Sequence, residues 1–185
     1  MTRLRGCMAG SVAMVLTWLV LAPSALWAQD QQAQIQRLLD ENEIRSVIDG
    51  YDVAVDAKQW DKVRSYFADE VQFDATSLEG GEPFVIKSDE MVGQWAVILF
   101  EEKKSNHMRT NFVIEVNGDK ATAFSKGYSL NIMDLDNGSD LWEVWGDYTH
   151  QLTRTPEGWK IDGMRYDKVY ARGNEKAHDY IPEKK

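Results

Sequence analysis

Residues that supply metal, thiol and nucleotide chemistry are scarce in this sequence. Its 185 residues include one cysteine, Cys7, and three histidines, at 107, 150 and 178, without the short spacing of zinc ligands. It has no glycine-rich loop of the kind that holds nucleotide phosphates and no GxSxG nucleophile motif. The sequence therefore predicts no metal site, no cofactor, and no serine or cysteine nucleophile.

An excess of basic residues is also missing. Lys and Arg number 21 against 30 Asp and Glu, which gives a formal net charge of −9. Proteins that bind nucleic acid concentrate positive charge on one face, so nucleic acid is not expected as a partner. The length suits one globular domain.

The first 28 residues have the pattern of a secretory signal peptide. Arg3 and Arg5 precede a mostly apolar run, residues 7–22, and Ala28 precedes polar residues. A retained membrane anchor is the alternative, but the run is shorter than the ~20 apolar residues that a spanning helix needs. Cleavage after Ala28 leaves 157 residues with a net charge of −11 and no cysteine, since the segment contains two arginines and no acid. We expect a periplasmic or secreted protein with no stable membrane anchor.

The mature chain reads as one α+β domain. A long helix is predicted from Gln29 to Ala57, with apolar residues at helical spacing: Ile44, Val47, Ile48, Tyr51 and Val55. A second helix over 60–67, two short strands over 71–75 and 83–87, and a third helix from Ser88 follow. Four long antiparallel strands are predicted over residues 106–116, 120–133, 141–154 and 159–170, with hairpin signals such as Asn117-Gly118 between them. The domain is placed at 29–171, and 172–185 is predicted to be a frayed, charged tail.

Several short motifs resemble the SnoaL-like family. They are Tyr51-x4-Asp56-x3-Trp60-Asp61, Phe67-Ala68-Asp69-Glu70-Val71, His107-x3-Asn111, Val116-Asn117-Gly118-Asp119-Lys120-Ala121 and Arg154-Thr155-x2-Gly158-Trp159. The resemblance covers residues 35–170. It implies the fold called nuclear-transport-factor-two-like or cystatin-like, in which a curved antiparallel sheet packs as a cone against N-terminal helices. Because this family contains enzymes of several classes and simple binding proteins, it specifies fold better than function.

Within the family the sequence looks most like scytalone dehydratase and the bile-acid dehydratases. Those enzymes eliminate water beside a carbonyl without a cofactor, and their catalytic positions fall on Tyr51, Asp56 and His107. A second histidine of the fungal enzyme falls near Asn131, and a second pocket tyrosine falls near Ala75. At these two positions the sequence departs from the pattern of that enzyme.

Periodicity alone leaves these assignments open. On a helical wheel Asp56 lies about 120° from the centre of the apolar stripe and Asp52 about 80°, so Asp56 could be an ordinary acid and Asp52 the pocket carboxylate. Strand alternation places His107, Arg109 and Asn111 on one face, opposite the apolar residues that follow. If they share a pocket, Asp56 and His107 provide an acid–base pair and Tyr51 a donor to a carbonyl oxygen.

Other polar and aromatic residues are candidates for binding the substrate. These are Asn131, Asn111, Arg109, Trp95, Trp145 and Tyr148, with Ser125 and Ser129 on the same strand face as Asn131. His150 is expected to be packed or on the surface, and His178 to be solvated in the tail.

The sequence thus favours an exported, cofactor-free lyase, specifically a dehydratase, that acts on a small hydrophobic ring-bearing hydroxy compound. Two alternatives stay open. One is an isomerase or cyclase acting on a polyketide-like or steroid-like ketone, and the other is a non-catalytic small-molecule-binding domain. A homodimer or homotrimer is expected.

Overall fold

The computed structural model describes residues 21–136 and 139–182. The chain divides into two compact units, one up to Leu39 and one from Asp40 onward. In the first unit, the described residues are helical and the side chains of residues 27–39 are exposed. Within the described part of the chain, no helix is long and apolar enough to cross a membrane. The proposed signal peptide lies largely outside the described residues, and its cleavage stays a prediction.

Five helices and six strands are described. In chain order they are α1 Leu21–Asp56, α2 Trp60–Ser65, β1 Phe67–Asp74, α3 Thr76–Glu79, β2 Phe84–Lys87, α4 Ser88–Ile98, β3 Lys104–Asn117, β4 Lys120–Ile132, β5 Leu141–Thr155, β6 Gly158–Gly173 and α5 Glu175–Asp179. The predicted α+β class is confirmed, with a curved, open sheet of six strands in the order β2-β1-β6-β5-β4-β3. Helix α1 begins earlier than the predicted start at Gln29.

Helix α1 contributes to the core of the second unit through the predicted apolar stripe. Ile44, Ile48 and Tyr51 are buried, as are Val47 and Val55. They belong to a cluster that includes Val71 of β1 and Leu152 and Ile161 of the long strands. Burying each large aliphatic side chain contributes about 1.5–3 kcal/mol, so this stripe fixes the helix on the sheet.

Two details of the first strand differ from the sequence prediction. Helix α2 ends at Ser65, because Phe67 already belongs to β1 and is buried. Strand β1 pairs antiparallel with β2 but parallel with β6, with Phe67 opposite Ile161. This pairing brings the short strands next to the C-terminal strand and extends the sheet.

The start of the second unit is held by Arg154 of the family motif. Its guanidinium donates to both carboxylate oxygens of Asp40, at 2.8 and 2.7 Å, and lies 4.3 Å from the ring centre of Trp159. Asp40 is buried, so this bidentate bond supplies partners for a carboxylate that has little access to water. The motif therefore serves the fold and anchors α1 to the hairpin between β5 and β6.

Two glycines that face each other across β4 and β5 make room for tyrosine rings. Gly127 is paired with Gly146. A Cβ atom on Gly146 would collide with the ring of Tyr166, and one on Gly127 would collide with the ring of Tyr148. Both rings can therefore lie close against the sheet, where they form part of the cavity described below.

We expect Gly146→Ala to lower the free energy of unfolding by about 1–3 kcal/mol, because the rigid Tyr166 ring must shift in a packed layer. Urea denaturation of the variant measures the loss. Gly93→Ala is the matched control. Gly93 lies within α4 with open space around its Cα, so this change should stabilise by about 0.5–1 kcal/mol. Equal effects of the two substitutions would contradict the packing argument.

Candidate active site

A cavity of about 180 Å³ lies between α1, the neighbouring helices and the sheet of the second unit. Its wall is mostly apolar, with a few polar groups from α1, α3, β3, β4 and α5. The lining residues are Tyr51, Asp52, Val55, Phe73, Ala75, Leu78, Glu79, Trp95, Ile98, Leu99, His107, Arg109, Ser129, Asn131, Trp142, Val144, Tyr148, Met164, Tyr166 and His178. An apolar hollow with a few convergent polar groups is the usual form of a small-molecule site.

Asp56 and His107 form a hydrogen-bonded pair at the edge of this cavity. His107 Nδ1 lies 2.7 Å from Asp56 Oδ1, and the His107 backbone N–H donates to Asp56 Oδ2 at 2.7 Å. Ser105 Oγ donates to Asp56 Oδ1 at 2.9 Å. His107 lines the cavity, whereas Asp56 lies behind it and is not among the lining residues. Among the described residues that line the cavity, Asp56 forms hydrogen bonds only with His107, through its ring and its backbone N–H.

The environment of Asp56 favours its ionised form. Burial alone would raise the pKa of Asp56, but the hydrogen bonds and charge of His107, together with the Ser105 hydroxyl, lower that pKa below its ordinary value. Asp56 is also the last residue of α1, where the helix dipole disfavours a negative charge. The contacts from β3 compensate for that position and explain why the side chain of an acid about 120° from the apolar stripe is only 18% exposed.

An ionised Asp56 determines which nitrogen of His107 carries the proton. A carboxylate only accepts hydrogen bonds, so Nδ1 must donate to it. In the neutral imidazole Nε2 is then unprotonated, and it is the nitrogen left for a bound molecule. The pair thus resembles a general base whose ring is oriented by a carboxylate.

A second charged group, Arg109, lies deeper in the wall. Its Nη2 donates to Asp52 Oδ1 at 3.0 Å and to Tyr51 Oη at 3.1 Å, and its guanidinium carbon lies 3.6 Å from the ring centre of Tyr148. The side chains of Arg109 and Asp52 are only 2% and 5% exposed. Asp52 thus lines the cavity and pairs with Arg109, whereas Asp56 lies behind the wall and pairs with His107. The two candidate carboxylates have different partners.

Several side chains of this wall contact the Tyr51 hydroxyl. Besides Arg109, it contacts His150 Nε2 at 3.1 Å and the sulfur of Met164 at 3.6 Å. Burial raises the pKa of Tyr51, so the hydroxyl keeps its proton. His150 is fully buried, and burial and the charge of Arg109 lower its pKa to about 3, which keeps the ring neutral. The expectation that His150 is packed or on the surface thus resolves to a packed position against Tyr51.

The cavity wall also contains a residue that was predicted to be solvated. His178 of α5 lines the cavity, its ring is stacked on Trp142 at 4.2 Å between centres, and its Nδ1 lies 3.2 Å from Asn131 Nδ2. The prediction of a solvated His178 in a frayed tail is wrong. β6 continues to Gly173, and α5 packs its buried Ala177 against Trp142, Val144 and Tyr166. The only local signal was Asn174, which caps α5.

Two predicted binding residues lie elsewhere. A β-bulge between Thr110 and Val113 inserts one extra residue into β3, and Asn111 sits there with φ of 54° and an exposed side chain. Because of the bulge, His107 and Arg109 face the cavity while Ile114 beyond it faces the core. Trp145 lines a neighbouring groove with Met108 and Tyr128, and this groove is also lined by Asp52, His107 and Arg109. Neither Asn111 nor Trp145 is among the residues that line the cavity.

The other predicted positions are in the wall. Trp95, Tyr148 and Asn131 line the cavity, as do Ser129 and Ala75, whereas Ser125 is buried and is not a lining residue. Sequence reasoning missed Tyr166 of β6 and Glu79 of α3, which also line it. Among the described residues, no group of three or more His, Cys, Asp or Glu side chains is placed to hold a metal ion.

Comparison with known proteins gives the family. Residues 36–165 match the model of the SnoaL-like domain. An uncharacterized protein of Mycobacterium tuberculosis, Rv2910c, is 25% identical over 128 residues, which cover 69% of this chain and 84% of that protein.

Solved structures share the fold at lower identity. A hexachlorocyclohexane dehydrochlorinase (LinA, type 2) is 18% identical, with a TM-score of 0.64 over 81% of this chain and 98% of that one. A scytalone dehydratase-like protein of Novosphingobium aromaticivorans is 13% identical, with a TM-score of 0.64 over 81% of this chain and 93% of that one. The fold is nuclear-transport-factor-two-like, also described as cystatin-like. Since the domain match spans most of the chain, this protein belongs to the SnoaL-like family.

Proposed function

We propose that this protein is a cofactor-free lyase that eliminates water from a small, ring-bearing hydroxy carbonyl compound, and that it acts after export from the cytoplasm. The observation that carries the proposal is the Asp56–His107 pair at the edge of a mostly apolar cavity. An elimination needs a base for the proton beside the carbonyl and a donor for the oxygen that gains charge. His107 and Tyr51 supply these two groups in one wall.

The size of the cavity narrows the substrate. An engineered protein cavity of roughly 150 Å³ holds benzene. A cavity of about 180 Å³ therefore suits one ring with a few substituents, and four fused steroid rings would have to extend beyond it. The aromatic wall formed by Trp95, Trp142 and Tyr148 suits an unsaturated or aromatic ring.

The reaction can be written with these groups. His107 Nε2 takes the proton from the carbon beside the carbonyl, while Tyr51 donates a hydrogen bond to the carbonyl oxygen. Asp56 stabilises the imidazolium that forms. The C–O bond to the leaving hydroxyl then breaks, and the imidazolium returns its proton to that oxygen, which leaves as water. Asn131 and His178 lie where they can contact polar substituents of the ring.

Two relatives in fold support elimination chemistry. The dehydrochlorinase and the scytalone dehydratase-like protein have names that denote loss of a small molecule from a ring compound. The identities are too low to transfer a substrate, so this support concerns the reaction type. The substrate class is argued from the cavity alone.

Mass spectrometry of the purified protein, incubated in heavy water with hydroxylated aromatic, terpenoid and steroid ketones, tests the proposal. We expect wild type to remove water from single-ring compounds, and His107→Ala and Asp56→Asn to be inactive or nearly so. Deuterium uptake beside the carbonyl without loss of water would favour the isomerase. Ligands retained equally by all three proteins, with no exchange, would favour a binding protein and contradict the lyase.

A further inference from the structure

The Tyr51 hydroxyl has more neighbours than a simple donor to substrate would need. Arg109 Nη2 and His150 Nε2 both lie 3.1 Å from its oxygen. A guanidinium can only donate, so the Arg109 contact uses one lone pair of the tyrosine oxygen. The contact with His150 has either direction, depending on which ring nitrogen carries the proton. That direction decides whether Tyr51 has a proton left for the cavity.

The two neutral forms of His150 differ in what they leave unpaired. Nδ1 of His150 is buried and has no hydrogen-bond partner among the described residues. With the proton on Nδ1, a buried N–H donor would be unsatisfied, and Tyr51 would have to spend its own proton on Nε2. Buried N–H groups without a partner are rare and cost about 1–3 kcal/mol. With the proton on Nε2, this N–H donates to Tyr51, and only a ring lone pair stays unpaired.

We infer that His150 is a positioning residue that is held as the Nε2–H tautomer, so that His150 and Arg109 both donate to the Tyr51 oxygen and leave the Tyr51 proton for an oxygen acceptor in the cavity. The role in catalysis rests on the proposed function, whereas the tautomer does not. His150 itself is not among the cavity-lining residues, so it acts through Tyr51.

A free Tyr51 proton favours a bound group that accepts a hydrogen bond. Among the described residues, the only other hydrogen-bond partner of the Tyr51 hydroxyl is the Met164 sulfur, at 3.6 Å, which is a weak acceptor. A carbonyl oxygen is a better acceptor and would displace that contact. Two donors on the tyrosine oxygen, one of them charged, also stabilise the electron density that moves toward it as a carbonyl becomes an enolate. The site is therefore assigned to ketones, esters or thioesters.

Long-range proton–nitrogen NMR of the folded protein, labelled with ¹⁵N in the histidine rings, reads the tautomer directly. The chain has only three histidines, so His107→Gln and His178→Gln identify the His150 signals in wild type by elimination. We expect a neutral Nε2–H pattern for His150 that does not change between about pH 5 and 8. A proton on Nδ1 of His150, or titration of His150 in this pH range, would overturn the inference. The test leaves His150 itself unsubstituted.

Binding of cyclohexanone, a ring ketone with no leaving group, tests whether the Tyr51 proton is available to a carbonyl oxygen in the cavity. We expect Tyr51→Phe and His150→Leu to weaken binding roughly tenfold, the equivalent of one hydrogen bond, and His150→Gln to restore most of it because its amide N–H replaces Nε2–H. Absence of binding to wild type, or equal weakening by Gln and Leu at position 150, would refute the carbonyl assignment. Binding and tautomer as expected, with no turnover of any hydroxy ketone, would instead refute the lyase.

Discussion

Turnover is expected to fall by about 10²–10⁴-fold when Asp56 is replaced by Asn, with the fold retained. The carboxylate accepts from His107 Nδ1, from the His107 backbone and from Ser105. An amide lacks the charge that stabilises the imidazolium, and its NH₂ can face Nδ1, which would move the imidazole proton to Nε2. The base at Nε2 would then be lost. Steady-state turnover of the compound found by mass spectrometry measures the effect.

Asp134→Asn is the matched control, because it makes the same change at an exposed carboxylate in the loop between β4 and β5. It should leave turnover within a factor of about two, as expected for a surface change away from the site. Circular dichroism and the unfolding midpoint of the two variants show whether each retains the fold. If Asp56→Asn kept wild-type turnover, His107 would not depend on Asp56, and the proposed base would be wrong.

The regular parts of this fold could be predicted because their signals are local. The helical spacing of Ile44, Ile48 and Tyr51 predicts the buried face of α1, and the Asn117-Gly118 turn marks the hairpin between β3 and β4. The parallel pairing of β1 with β6 was not predicted, since Phe67 and Ile161 meet through a contact far apart in sequence. Local patterns determine elements, but they carry little information on which strands become neighbours.

The candidate site was predictable only where a resemblance or a simple periodicity reached it. The family resemblance pointed to Tyr51, Asp56 and His107, which the structure brings to one region, and their catalytic roles stay a prediction. Strand alternation failed at Asn111, because a bulge shifts the phase of β3. His178 was missed, since nothing in a charged tail predicts that a five-residue helix will pack its one buried alanine against the sheet.

The buried ion pair in the cavity wall, Asp52 and Arg109, gives the largest expected effect on stability. Asp52→Leu would leave the Arg109 guanidinium buried and without its carboxylate, and Arg109→Met would leave the carboxylate alone. We expect Asp52→Leu to lower the free energy of unfolding by about 3–5 kcal/mol, because the buried guanidinium cannot lose its charge. Arg109→Met should cost less, because burial already raises the pKa of Asp52 and the carboxyl group can take up a proton. Urea denaturation of the two variants and of the double variant measures these losses.

The double variant, Asp52→Leu with Arg109→Met, distinguishes a role of the pair in stability from a role in orienting Tyr51. When both charges are replaced by apolar groups, no unpaired charge is left, so stability should recover to near that of wild type or above it. Simple addition of the two single losses would contradict this coupling. The Tyr51 hydroxyl would nevertheless lose its charged donor, Arg109 Nη2. A stable double variant that no longer binds cyclohexanone would therefore indicate that Asp52 and Arg109 are retained to orient and polarise Tyr51, and not to hold the fold together.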